Sequence, residues 1–148
     1  MSEVALEIPA SVDRVWAVLA DGWTYAAWVV GASHIRDVDA TWPAPDSKLH
    51  HSVGPWPLVV KDYTEVVECR ASTHLKLRAR TWPIGEAVVV LDLEPSSADR
   101  CRVTMGETPT RGPAAWTHNP VAEALLQARN KETLERLGAL ASRGAKPE

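Results

Sequence analysis

Residues 119–142 read NPVAEALLQARNKETLERLGALAS, and the rest of the chain has to be arranged around them. Asn119 carries the side chain of a helix cap, and Pro120 suits a first helical position, where its missing N–H leaves nothing unpaired. Beyond it, Leu126, Leu134, Leu137 and Ala141 fall on one stripe, flanked by Val121, Leu125 and Leu140, until Arg143-Gly144 breaks the pattern. At 3.6 residues per turn this predicts a rod about 33 Å long with one apolar side. Such a side needs a partner.

The preceding residues supply a sheet. Val4, Leu6 and Ile8 alternate with Glu3, Ala5 and Glu7, the period of a half-buried strand. A short helix follows, capped by Ser11, with Val12, Val15, Trp16 and Leu19 on one face and Asp21-Gly22 at its end; Trp23–Val29 predicts a second. From Ser33 onward, apolar runs at Ile35–Trp42, Lys48–Val53, Leu58–Cys69, His74–Trp82, Glu86–Glu94 and Arg100–Glu107 are separated by turn residues rich in Pro, Gly, Ser and Asp. Connections this short join antiparallel neighbours, because parallel strands need crossovers of a dozen or more residues. The expected architecture is α+β: a curved antiparallel sheet of six or seven strands, one face wet and the other closed by the terminal helix. Residues 1–142 form one domain in this reading, with 143–148 a frayed tail.

Composition narrows the function. The 148 residues carry 16 basic and 19 acidic side chains, a net charge of −3, which argues against a non-specific nucleic-acid binder. No apolar run approaches the roughly 20 residues of a membrane span, and Met1–Ile8 lacks the pattern of a signal peptide, so the expected location is cytoplasmic. Two cysteines, Cys69 and Cys101, make neither a disulfide framework nor a zinc site. Neighbouring His50 and His51 point to opposite faces of a strand and do not make a metal site either. The sequence lacks a phosphate-binding Gly-rich loop, a nucleophile elbow and a CxxC pair, and nothing in it calls for a cofactor. Seven Trp and no Phe stand out: indoles such as Trp28, Trp42 and Trp56 suit either the wall of a cavity or its plug.

Three stretches carry a family resemblance. Pro9-Ala10-Ser11 leading into Val15–Asp21, then Leu49-His50-His51-Ser52-Val53-Gly54-Pro55-Trp56, then Ala128–Leu134 are similar to small bacterial proteins of the SRPBCC group (START/Bet v 1-like), those described as polyketide cyclase/dehydrase or lipid-transport-like. The resemblance implies a helix-grip fold with a deep apolar cavity between sheet and helix. It implies no single reaction, since members range from binders to cyclases.

Alternation then sorts the candidate site. Leu49, His51 and Val53 share the inner face of one strand, and Leu58, Val60, Asp62, Thr64 and Val66 that of the next. If a turn at Gly54–Pro57 pairs Val53 with Leu58, His51 faces Val60 and lies diagonal to Asp62. Met105 and Glu107 share the inner face of the last strand. On the helix, Asn130 sits in the apolar stripe between Leu126 and Leu134, with Arg129 on the adjacent line. His51, Asp62, Glu107, Arg129 and Asn130 are therefore expected to form a polar patch in an apolar pocket lined by Val60, Thr64, Met105, Leu126, Trp28 and Trp56.

Two readings compete for these residues. In one, Asp62 tunes His51 as a general base for cyclisation or dehydration of a polyketide. In the other, Arg129 pairs with Glu107 or Asp62, Asn130 satisfies a strand-edge carbonyl, and His51 bonds locally, all as structural groups. Gly106–Thr117 is expected to form a lid. The primary expectation is a binder of a small hydrophobic or aromatic, polyketide- or lipid-like molecule, with association into a homodimer left open. The alternatives are a cyclase or dehydratase using His51 and Asp62, and a non-catalytic interaction module with a filled core.

Overall fold

A computed structural model describes residues 2–30, 32–53, 60–81, 85–111 and 120–143. Strand β1 (Ser2–Ile8) leads into helix α1 (Val12–Ala20), a 3-10 turn (Gly22–Thr24) and the one-turn helix α2 (Tyr25–Trp28). Strands β2 (Ala32–Val38), β3 (Lys48–Val53), β4 (Val60–Arg70), β5 (His74–Thr81), β6 (Gly85–Ser97) and β7 (Arg100–Arg111) follow, and helix α3 (Pro120–Arg143) ends the order. The seven strands form one antiparallel sheet in the order β1-β7-β6-β5-β4-β3-β2, so the meander returns its last strand to the first. Register shifts in β4 between Val66 and Glu68, and in β6 near each end, bend the sheet around its contents.

Local chemistry explains the helical entry. Ser11 has extended ψ and its hydroxyl accepts from Arg14 N, while Asp13 lies in the first turn; Val15 and Leu19 are buried. The Asp21 carboxylate accepts from Trp23 N at 3.1 Å and starts the 3-10 turn. The second helix expected at Trp23–Val29 therefore divides in two, and Trp23 is 58% exposed. Gly22 is needed for close approach, because a Cβ there would stand 2.7 Å from Val38 Cγ1.

Three other expectations are corrected. The strand expected to reach Trp42 ends at Val38, because the Asp39 carboxylate accepts from Lys48 N and Trp42 turns inward, its indole donating to Leu19 O at 3.2 Å. Gly106–Arg111 belong to β7, paired with β6 through contacts such as Ala87↔Pro109, and are not part of a lid; residues 112–119, the remainder of that loop, lie outside the described residues. Val121 and Leu125, expected to flank the buried stripe of α3, are exposed.

Helix α3 packs mainly through its second half. Asn130, Thr133, Leu134, Leu137, Gly138 and Ala141 are buried, against β1, β7, α1 and α2. A Cβ at Gly138 would lie 3.3 Å from Ile8 Cγ1, so this glycine lets the helix close on the first strand. Thr133 Oγ1 accepts from Val30 N at 3.2 Å and ties α3 to the end of α2. The core runs between sheet and helices through Ile8, Leu19, Leu49, Val66, Leu91, Val103 and Leu134.

Candidate functional site

Strand alternation delivers a row of polar side chains to this interior. In β3 and β4 the pairs are Leu49↔Thr64, His51↔Asp62 and Val53↔Val60. The expected register of Val53 with Leu58 is thus shifted by two residues. An even shift preserves faces, so His51 and Thr64 still point inward, and both are buried. Met105 and Glu107 are buried on β7, as alternation predicts.

The centre of the cluster is a hydroxyl. Thr64 Oγ1 lies 2.9 Å from His51 Nε2 and 3.2 Å from the Tyr25 hydroxyl. Tyr25 also stacks on the imidazole, with ring centroids 5.8 Å apart and planes inclined by 5°, and meets Trp28 edge-on at 5.3 Å. Burial pushes the Tyr25 phenol up to about 12, against a downward pull from the Thr64 hydrogen bond; the nearby Glu107 charge raises it further and Arg129 opposes it. Burial also holds His51 below its ordinary value, the Asp62 charge pulling upward and Arg36 downward. A neutral imidazole at pH 7 is the consequence.

Asp62 faces His51 across the ladder, yet the ring nitrogen Nε2 bonds to Thr64. The Asp62 carboxylate accepts from Tyr63 N and lies 3.5 Å from Arg80 Nε. Arg129 meets Glu107, its Nη2 lying 2.6 Å from both carboxylate oxygens; Glu107 is nearly buried and Arg129 is 43% exposed, so the pair sits at the rim of the interior.

Asn130 departs from the structural expectation. At 1% exposure, neither its Nδ2 nor its Oδ1 has a hydrogen-bond partner, so the amide satisfies no strand-edge carbonyl. Trp28 Nε1 and His51 Nδ1 are likewise buried and without partners, on side chains each 2% exposed. These four atoms are the buried side-chain polar atoms lacking a partner among the described residues. They occupy connected ground, since Trp28 and His51 both contact Tyr25, and Asn130 lies one turn from Thr133, which binds the backbone two residues after Trp28. Leu126, a turn before Asn130, is half-buried. Trp56 and the Val60 side chain lie outside the described residues.

Tyr25 was not singled out by sequence reasoning. Its signal is faint: one of two tyrosines, three residues ahead of a tryptophan in a helix of a single turn. Among the described residues no group of three or more His, Cys, Asp or Glu side chains could hold a metal ion, and no helix is long and apolar enough to cross a membrane. The interior combines apolar side chains with a few buried polar atoms that lack partners.

Solved structures share this fold. The chain matches the Zhui aromatase/cyclase of Streptomyces sp. R1128 at TM-score 0.74 and 18% identity, covering 97% of this chain and 94% of that one. It matches a START superfamily protein of Mycobacterium smegmatis at TM-score 0.76 and 11% identity, over 95% and 96% of the two chains. Ara h 8.0201 aligns at TM-score 0.68 and 10% identity, over 95% and 96%. At these identities the likeness establishes the helix-grip fold. No curated protein sequence matches the chain. A family model does, described as polyketide cyclase / dehydrase and lipid transport, and it spans residues 2–142, from the first strand to nearly the end of the terminal helix; the chain belongs to that family.

Proposed function

We propose that the protein binds a small hydrophobic or aromatic molecule, polyketide- or lipid-like, between the sheet and α3, with Trp28, His51, Thr64, Met105, Glu107, Arg129 and Asn130 around it. The observation that carries this reading is the set of unpartnered buried atoms on Trp28, His51 and Asn130. Leaving a buried polar group unpaired costs about 1–3 kcal/mol each. A guest that hydrogen-bonds to them recovers that energy while its carbon skeleton meets Leu49, Val66, Met105 and Leu134. Glu107 and Arg129 stand at the rim, where their charges face polar substituents.

Native mass spectrometry with a panel of aromatic polyketides and fatty acids tests this. One bound guest is expected, and its retention should weaken in Asn130→Leu. Failure of every chemically distinct guest to bind would favour the interaction-module reading.

A second reading, turnover of the bound molecule by cyclisation or dehydration, is favoured by the neutral, hydroxyl-anchored His51. Here Asp62 acts on the ring through its charge. His51→Ala separates the two: the variant of a carrier still binds its guest, whereas the variant of a catalyst loses product formation.

A further inference from the structure

The charge that faces the interior belongs to Glu107 and Arg129. Among the described residues Glu107 is the one buried acidic side chain, and no lysine or arginine is buried. Glu107 shares the buried face of β7 with Met105, and Arg129 directly precedes the buried Asn130 on α3. After burial and the Thr64 hydrogen bond, the charges that move the Tyr25 phenol are Glu107, upward, and Arg129, downward, which puts the ion pair within electrostatic reach of the aromatic cluster. Two other arginines near His51 are committed elsewhere. Arg80 Nε lies 3.5 Å from the Asp62 carboxylate, and the exposed Arg36 donates to the Asp62 carbonyl oxygen at 3.1 Å.

A guest carboxylate drawn into such an interior sheds its hydration and needs a cation in return. Arg129 is the cation at hand, and Glu107 already holds it, both carboxylate oxygens lying 2.6 Å from Nη2. A second anion approaching the remaining guanidinium N–H groups also approaches the Glu107 charge, and at a partly desolvated rim like charges repel more strongly than in water. We propose that Glu107 is a specificity-determining residue: by neutralising Arg129 it closes the interior to carboxylate guests and reserves it for guests whose enclosed part is uncharged. The inference deepens the binding reading above and rests on it. Its converse is sharper still. With Glu107 made neutral, Arg129 becomes an unpaired guanidinium at the rim, a group whose planar fork of N–H donors matches a carboxylate, and the preference should swing toward anions.

Calorimetric titration of the intact protein with 2-naphthamide and 2-naphthoate tests this at about pH 7.5, where a carboxylic acid is ionised. The two probes have nearly the same shape and differ in charge. Wild type should bind the amide at least about tenfold more tightly. Glu107→Gln, which keeps the shape of the side chain and releases the Arg129 guanidinium, should lower the amide-to-carboxylate affinity ratio by at least about tenfold. Adding Arg129→Gln to it should restore the ratio. Glu107→Met makes the same comparison if the Gln variant does not fold. Wild type binding the carboxylate as tightly as the amide, a ratio indifferent to the loss of Glu107, or a low ratio that persists in the double variant each overturns the proposal while leaving the binding reading in place. If neither probe binds wild type or variant, the binding reading fails and the selectivity falls with it.

Discussion

The Tyr25 ring lies parallel to the His51 imidazole while its hydroxyl reaches the same Thr64 oxygen that His51 Nε2 contacts. One aromatic side chain from α2 therefore fixes both the tilt and the hydrogen-bond environment of a histidine from β3. Contact by ring and contact by hydroxyl make separable contributions. Tyr25→Phe should cost about 1 kcal/mol, the net value of one hydrogen bond. Tyr25→Ala removes the packing against Trp28 and His51 as well and should cost about 3–5 kcal/mol. Urea denaturation of the three proteins checks the order; a Phe variant as unstable as the Ala variant would show that the hydroxyl, not the ring, holds the cluster.

The burial of His51 makes stability depend on pH in a definite direction. An unfolded His51 titrates near 6.5, whereas the folded one is lowered by burial. Between the folded and unfolded values the unfolded chain binds more protons, so stability is full above 6.5 and declines as the pH falls below it. The slope from this one group reaches at most about 1.4 kcal/mol per pH unit. Comparing denaturation midpoints of wild type and His51→Gln between about pH 5 and 8 isolates the term from the other four histidines. Parallel pH curves for the two proteins would mean that folding leaves the titration of His51 unchanged.

Glu107 and Arg129 join the last strand to α3 near the rim. Because Arg129 is partly exposed, solvent screens the pair and discounts its worth. Removing the arginine alone leaves a nearly buried carboxylate without its cation, and Arg129→Gln should cost about 1–2 kcal/mol. Glu107→Gln combined with Arg129→Gln should cost less than the sum of the singles, with a coupling of about 1 kcal/mol. Additive losses in this double-mutant cycle would show the contact to be energetically idle.

Much of this arrangement was legible before any coordinates, and the reasons are physical. Period-2 alternation assigned His51, Thr64, Met105 and Glu107 to the buried face. Those assignments survived a two-residue error in the β3–β4 register because faces repeat every two residues. Helical periodicity placed Asn130 on the buried stripe of α3. Alternation says nothing about which buried groups touch. That Tyr25, His51 and Thr64 meet depends on how α2 lies against β3 and β4, at sequence separations of 39 and 13 residues from Thr64. Nor does it give rotamers: Asp62 is opposite His51 in register, but its carboxylate extends to Arg80 on β5. The exposure of Val121 and Leu125 was hidden for a related reason, since an apolar stripe marks what a helix is able to bury and not how far its partner extends.

Asn130 is where stability and function should pull apart. Its amide is buried to 1% exposure, with both polar ends unpartnered. Leucine occupies nearly the same space and has nothing to desolvate, and it is the better helix former. Asn130→Leu should therefore raise stability, by about 1–2 kcal/mol, read as a higher denaturation midpoint with an unchanged m-value. The same change deletes two of the four unpartnered atoms, so affinity for a polar aromatic guest should fall by about tenfold or more. A stabilised variant with weakened binding identifies the amide as a group kept for its ligand at the expense of the fold. A destabilised one would mean that Asn130 has a structural partner, and the case for a binding interior would lose two of its four unpartnered atoms.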